Sequence, residues 1–198
     1  MSKGDLTRQR IIAEAAPLFN QKGFEGCSMQ DVMDATGLEK GGLYRHFSSK
    51  EELAAEAFRY SIEATLRART EGVEKIQGAP AKLAYIIHRF VETRGPIPGG
   101  CPLLNTAVDS DDGNPLLRRM VRRAFTEWKG RIVAILREGM EKGEIRRSVN
   151  AEQMAGTVIA ALEGAILLSR LEGSRDPLRN VEASLAVLLD CASAPVRS

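Results

Sequence analysis

An all-α fold of about nine helices is predicted by three features of the sequence. Apolar residues recur at helical spacing through most of the chain, no stretch sustains the alternation of a strand, and the interruptions are marked by cap residues, glycine and proline. The 198 residues suffice for a buried core in one or two domains. A balance of 43% hydrophobic and 27% charged residues excludes a disordered, collagen-like or disulfide-framework protein.

The first helix carries Ile11, Ile12, Ala15, Leu18 and Phe19 on one face, with Thr7 as its expected N-cap and Gly23 as its stop. Ser28, with Asp31 three residues on, opens a short second helix that ends at Thr36-Gly37. A third short helix is predicted from Glu39 or Lys40 through Leu43, Tyr44 and Phe47, with Leu43 and Phe47 as core. Ser49-Lys50-Glu51-Glu52 reads as a capping box for a longer helix through Leu53, Ala57, Phe58, Ile62 and Leu66. A glycine-bearing joint from Gly72 to Pro80 precedes a helix with Leu83, Ile86, Ile87, Phe90 and Val91. Gly95-Pro96-Ile97-Pro98-Gly99-Gly100 must be a loop, because proline removes donors and glycine costs about 1 kcal/mol in a helix interior. Cys101-Pro102-Leu103-Leu104 opens a short helix, and Asn114-Pro115 starts a long one that stops at Gly143. Asn150 caps the next helix, through Leu171, and Asp176-Pro177 begins the last, through Leu189 or Cys191.

Composition narrows the function. A net charge of +2 does not mark a polyanion binder, so any nucleic-acid signal lies in where the charges sit. No uninterrupted apolar run approaches the roughly 18 residues of a membrane span, and the first ten residues lack the apolar core of a secretory signal. A cytoplasmic protein with no membrane partner is expected. Cys27, Cys101 and Cys191 are odd in number and far apart, and His46 and His88 are the two histidines. Neither a metal site nor a hydrolase constellation is suggested, and no cofactor is implied.

Residues 28–47 have the shape of a helix-turn-helix, a short helix, a turn at Thr36-Gly37-Leu38 and a second short helix of a size to enter the major groove. Gly41 and Gly42, lacking Cβ, allow the start of that helix to approach the DNA backbone, where amide N–H groups meet phosphate. Lys40 and Lys50 stand at predicted helix N-termini as phosphate contacts that position the protein. Tyr44 offers its ring to a thymine methyl and its hydroxyl to phosphate, and Arg45 is the candidate for bidentate reading of guanine. Ser28 and Gln30 are further candidates for backbone contact. For Tyr44 and His46, packing is the competing reading. Residues 1–50 hold seven basic and six acidic side chains, so affinity must come from a basic face.

The spacing Thr7-Arg8-x-x-Ile11, Phe19-x-x-x-Gly23-Phe24, Ser28-Met29-x-x-Val32, Ala35-x-Gly37, Lys40-Gly41-x-Leu43-Tyr44-x-His46-Phe47 and Lys50-Glu51-x-Leu53 resembles the TetR family of bacterial transcriptional regulators. Gly42 departs from the Ser, Ala or Thr usual there. The resemblance implies a phosphate contact for His46 and a helical C-terminal domain that holds a dimer and binds a small inducer. The expected organisation is a DNA-binding domain over 1–50, with the resemblance reaching about residue 65, a connecting helix over 51–72, and an effector-binding and dimerisation domain over 73–198. Phe90, Leu104, Met120, Phe125, Trp128 and Met154 are candidates for lining a pocket for an apolar or aromatic effector, with core packing as the alternative. Cys101, in Gly-Cys-Pro at a helix start, joins them, since the field there favours a thiolate.

The resulting expectation is a non-enzymatic, homodimeric repressor released from a palindromic double-stranded operator by a small-molecule inducer. A thiol-based sensor using Cys101, and an effector-less architectural DNA-binding protein, are the alternatives. A Cys101 nucleophile would lack an evident base, since His88 lies on another helix.

Overall fold

The computed structural model describes residues 2–194. Among them run nine α-helices and one 3-10 turn: α1 (Lys3–Gly26), α2 (Met29–Thr36), α3 (Lys40–Tyr44), α4 (Lys50–Thr70), the turn (Val73–Lys75), α5 (Ala79–Glu92), α6 (Pro102–Asp109), α7 (Pro115–Glu141), α8 (Ala151–Glu172) and α9 (Asp176–Ala192). The chain forms two compact units. One takes the residues up to Leu66 together with Gly95–Ala124, and the other takes Arg67–Arg94 together with the chain from Phe125 on.

In the first unit, Ile11, Val32, Leu43, Phe47 and Leu53 are buried together, joined by Ile97 of the loop before α6. Helix α1 begins earlier than Thr7 suggests. The Ser2 hydroxyl accepts from the Asp5 amide at 3.1 Å and the Asp5 carboxylate from the Ser2 amide at 2.9 Å, a complete capping box, whereas the Thr7 hydroxyl donates to the Lys3 carbonyl. At Gly23 the helix breaks, with φ +74° and ψ 172°, and the Phe24 amide released there donates to the Asp109 carboxylate of α6 at 2.7 Å. A Cβ at Gly23 would stand 2.5 Å from Asp109 Oδ1, so glycine is required twice over. Beside this joint the Asn20 amide donates to the Pro98 carbonyl at 2.8 Å, and the Asn105 amide donates to Asn20 Oδ1 at 3.0 Å and to the Gly99 carbonyl at 2.9 Å.

Helix α3 is shorter than predicted. It ends at Tyr44, and Phe47 is held instead by its amide donating to the Leu43 carbonyl at 3.2 Å. Two glycines in five residues leave few side chains to prolong it. The predicted box at α4 is half formed, since the Ser49 hydroxyl accepts from the Glu52 amide while the Glu52 carboxylate turns to the amide and hydroxyl of Ser48.

In the second unit, α5 packs on α8 and α9, and α8 on α9. Helix α8 is capped by Asn150, whose side chain accepts from the Glu152 and Gln153 amides, both at 3.1 Å. The chain leaving α7 pairs with the chain leaving α9 through a bridge between Ile145 and Ser193, with Arg146 N donating to the Ala192 carbonyl. Helix α8 is long and apolar enough to cross a membrane by length and composition alone, with a mean hydropathy of 1.5 and a third of that stretch buried in this chain. Counting uninterrupted runs missed it because Glu163 and the glycines break the run, while the surrounding apolar residues keep the average high. Its outward side presents Thr157, Ala160, Leu167, Leu168 and Leu171, beside which Val187 of α9 is 64% exposed.

Candidate functional site

The helix-turn-helix is assembled by local chemistry. Ser28 caps α2, accepting from the Asp31 amide and donating to the Asp31 carboxylate at 2.6 Å, so its hydroxyl proton serves the turn. Lys22 of α1 binds the same carboxylate. The Lys22 ammonium, with the Ser28 hydroxyl and amide, holds Asp31 well below the usual carboxylate range, and Asp31 in turn raises Lys22. Helix α2 ends at Gly37 in the left-handed conformation, after which α3 begins. Leu43 and Phe47 are fully buried, as predicted, and Arg8 stacks on the Phe47 ring at 4.6 Å while pairing with Glu52 and Glu56, both at 3.6 Å.

With its anchors inward, α3 turns Lys40, Gly41 and Tyr44 outward, and Arg45 follows in helical conformation, also exposed. Gly42 and His46 are half-buried beside them. A Cβ at Gly41 would meet no atom within 4 Å, and one at Gly42 only the Leu38 side chain at 3.6 Å. The fold itself therefore does not require glycine at either place. Lys50, at the first position of α4, lays its ammonium 4.4 Å from the centre of the Phe24 ring. Gln30 is exposed on α2 and donates to Asp34 at 2.7 Å.

The candidate effector residues are divided between the units. Phe90 and Trp128 meet in the second unit as nearly parallel rings, 6.0 Å between centres, both buried. Met154 is buried in the same unit, whereas Phe125 is 41% exposed and does not line its interior. The inward stripe of α7 runs through Leu117, Val121, Trp128, Ile132 and Leu136, and Phe125 falls to one side of it. Cys101, Leu104 and Met120 belong to the first unit, where Cys101 is the buried N-cap of α6. Among the described residues, no group of three or more His, Cys, Asp or Glu side chains could hold a metal ion. Sequence reasoning missed Arg69 of α4, which is buried with its guanidinium carbon 3.7 Å from the centre of the Phe90 ring. Its position four residues after buried Thr65 on the same helix was the available signal.

Two family profiles match the chain. That of the tetR family of bacterial regulatory proteins covers residues 11–57, and that of the tetracyclin repressor-like C-terminal domain covers residues 79–185. The chain belongs to the TetR family. A TetR transcriptional regulator from Chloroflexus aurantiacus is 41% identical, with a TM-score of 0.94 over 98% of this chain and 99% of its own. A TetR-family regulator from Cytophaga hutchinsonii is 35% identical, with a TM-score of 0.91 over 100% and 99% of the two chains. The HTH-type transcriptional repressor DhaR of a Mycobacterium strain is 28% identical over 86% of each chain. This TetR-family chain is thus a DNA-binding transcriptional regulator, a class that is generally non-enzymatic. Within the TetR framework, α2 and α3 form the helix-turn-helix, and α3 keeps an exposed outer face.

Proposed function

We propose that the protein is a homodimeric bacterial repressor that acts in the cytoplasm and leaves a palindromic operator when a small apolar or aromatic molecule binds its helical C-terminal half. In this reading Lys40, Gly41, Gly42 and His46 meet phosphate, Tyr44 and Arg45 meet base edges, and Ser28, Gln30 and Lys50 flank the contact. The observation that carries it is the outer face of α3. Two glycines that nothing inside the chain calls for stand next to an exposed cation, an exposed phenol and an exposed guanidinium.

Dimerisation is supported by α8 and α9, whose outward apolar side chains Leu167, Leu168, Leu171 and Val187 are 47–74% exposed. A second copy covering that face would also supply the second recognition helix that a palindrome demands, about 34 Å away. Release follows if the effector prefers a conformation whose recognition helices no longer match the half-sites, and linkage makes the antagonism reciprocal. Burial of Cys101 favours packing over thiol sensing.

Selection of bound fragments from random and genomic DNA tests the reading. Enrichment of a palindrome is expected, and Leu171→Glu should yield monomers by light scattering that bind it far more weakly. Absence of enrichment, with only salt-sensitive binding, would replace it with an architectural role.

A further inference from the structure

Arg69 stands one residue before the end of α4, in the second unit. It is 9% exposed, its Nε has no hydrogen-bond partner, and it forms no ion pair among the described residues. What it does have is the face of Phe90, whose ring lies parallel to that of Trp128. A second guanidinium, that of Arg89, has its Nε likewise buried without a partner, while one of its terminal nitrogens donates to the Ala68 carbonyl. A buried charge is tolerated when it is paired and hydrogen-bonded. The C-terminal end of α4 and the Phe90 ring both favour a cation, yet neither offers an acceptor in the guanidinium plane to the Nε–H. The group that fits an Nε–H with its neighbouring terminal N–H is a carboxylate, which takes both at once.

We propose that Arg69 is the anion-recognising residue of the effector site, and that the effector is an aromatic or aliphatic carboxylic acid held by its carboxylate on Arg69 with its apolar body against Phe90 and Trp128. This rests on the reading that the C-terminal half binds a small-molecule effector, and it narrows the effector to acids.

Trp128 is the single tryptophan of the chain, so its fluorescence reports directly on the site. The probes are 1-naphthoate, 4-phenylbutyrate and decanoate, each compared with its primary amide and its amine. They are followed by Trp128 fluorescence, by melting temperature and by release of the selected operator. The acids are expected to bind at least about tenfold more tightly than the amides, the gain from one charge-assisted hydrogen bond. Arg69→Gln should abolish that preference and Arg69→Lys should keep part of it. Equal binding of acid and amide by the unaltered protein overturns the proposal without recourse to any variant, as does an acid preference that survives Arg69→Gln. If amides or amines bind and release operator while acids do not, the effector reading stands and the acid assignment falls. If no probe of any charge binds, both fall.

Discussion

Replacing Gly41 with alanine should raise the stability of the protein and lower its affinity for operator, two effects of opposite sign from one methyl group. Glycine within a helix costs about 0.5–1 kcal/mol relative to alanine, largely through the freedom it retains in the unfolded chain. The backbone at Gly41 is not in the left-handed region, and the new Cβ would meet no atom within 4 Å. The gain should therefore be realised, toward the lower end because Gly41 lies in the first turn of a five-residue helix. For a chain of this size that corresponds to a rise of about 1–4 °C in melting temperature. Against DNA the same methyl group would stand where the backbone is proposed to touch phosphate. Loss of one hydrogen bond to a charged oxygen costs about 1.5–3 kcal/mol, or about 10- to 100-fold in Kd. Thermal denaturation followed by circular dichroism and anisotropy titration of labelled operator, in one buffer of fixed salt, measure the two sides. Higher stability with unchanged affinity would refute the close approach of α3 to DNA. A lower melting temperature would refute the argument that the fold has no need of glycine there.

Arg45→Ala should relax base preference at one position of each half-site by about 1–3 kcal/mol, whereas Lys40→Ala should weaken all sequences alike and reduce the salt slope by about one; parallel titrations on specific and random DNA separate them. Asp31 is held below its ordinary pKa of 3.8 in the folded protein, so its contribution to stability is fully present above that pH and fades as the pH falls beneath it. The gap in urea midpoint between the unaltered protein and Asp31→Asn should accordingly be constant near neutrality and close in acid. With Cys27 and Cys101 buried and Cys191 exposed in the single chain, four residues beyond Val187 on α9, one thiol should react quickly with a maleimide in the Leu171→Glu monomer, and adding Cys191→Ser should abolish that phase.

How much of this was legible beforehand depends on the range over which each feature is determined. Ser28 with Asp31, Asn114 and Asn150 were found as caps because a cap is made by one side chain and the next three amides. Thr7 misled because Ser2 with Asp5 offered an earlier and complete capping box, while Thr7, inside the helix, could only turn back to Lys3. The end of α3 was overestimated because Leu43 and Phe47 share a face whether or not the residues between them stay helical. The outward face of α3 followed from that same pair, since burying both leaves Lys40, Gly41, Tyr44 and Arg45 outside. The burial of Arg69 and the assignment of Phe90 and Cys101 to different units were invisible for a different reason. Whether a cation is buried, and which unit a residue joins, is decided by partners far off in the chain.

The joint at Gly23 has a consequence for how the protein is made. The Phe24 amide and the Asn20 side chain are satisfied by residues 98–109, which leave the ribosome 78 to 85 residues later. Emerging alone, α1 to α3 would hold these groups open to water and lack Ile97 from their core. The helix-turn-helix, synthesised ahead of α5, is thus completed only after α5 has already appeared. A nascent or truncated chain ending before α6 would carry every residue proposed to read the operator, yet not the seam that sets their support, and so would be a poor competitor for the site.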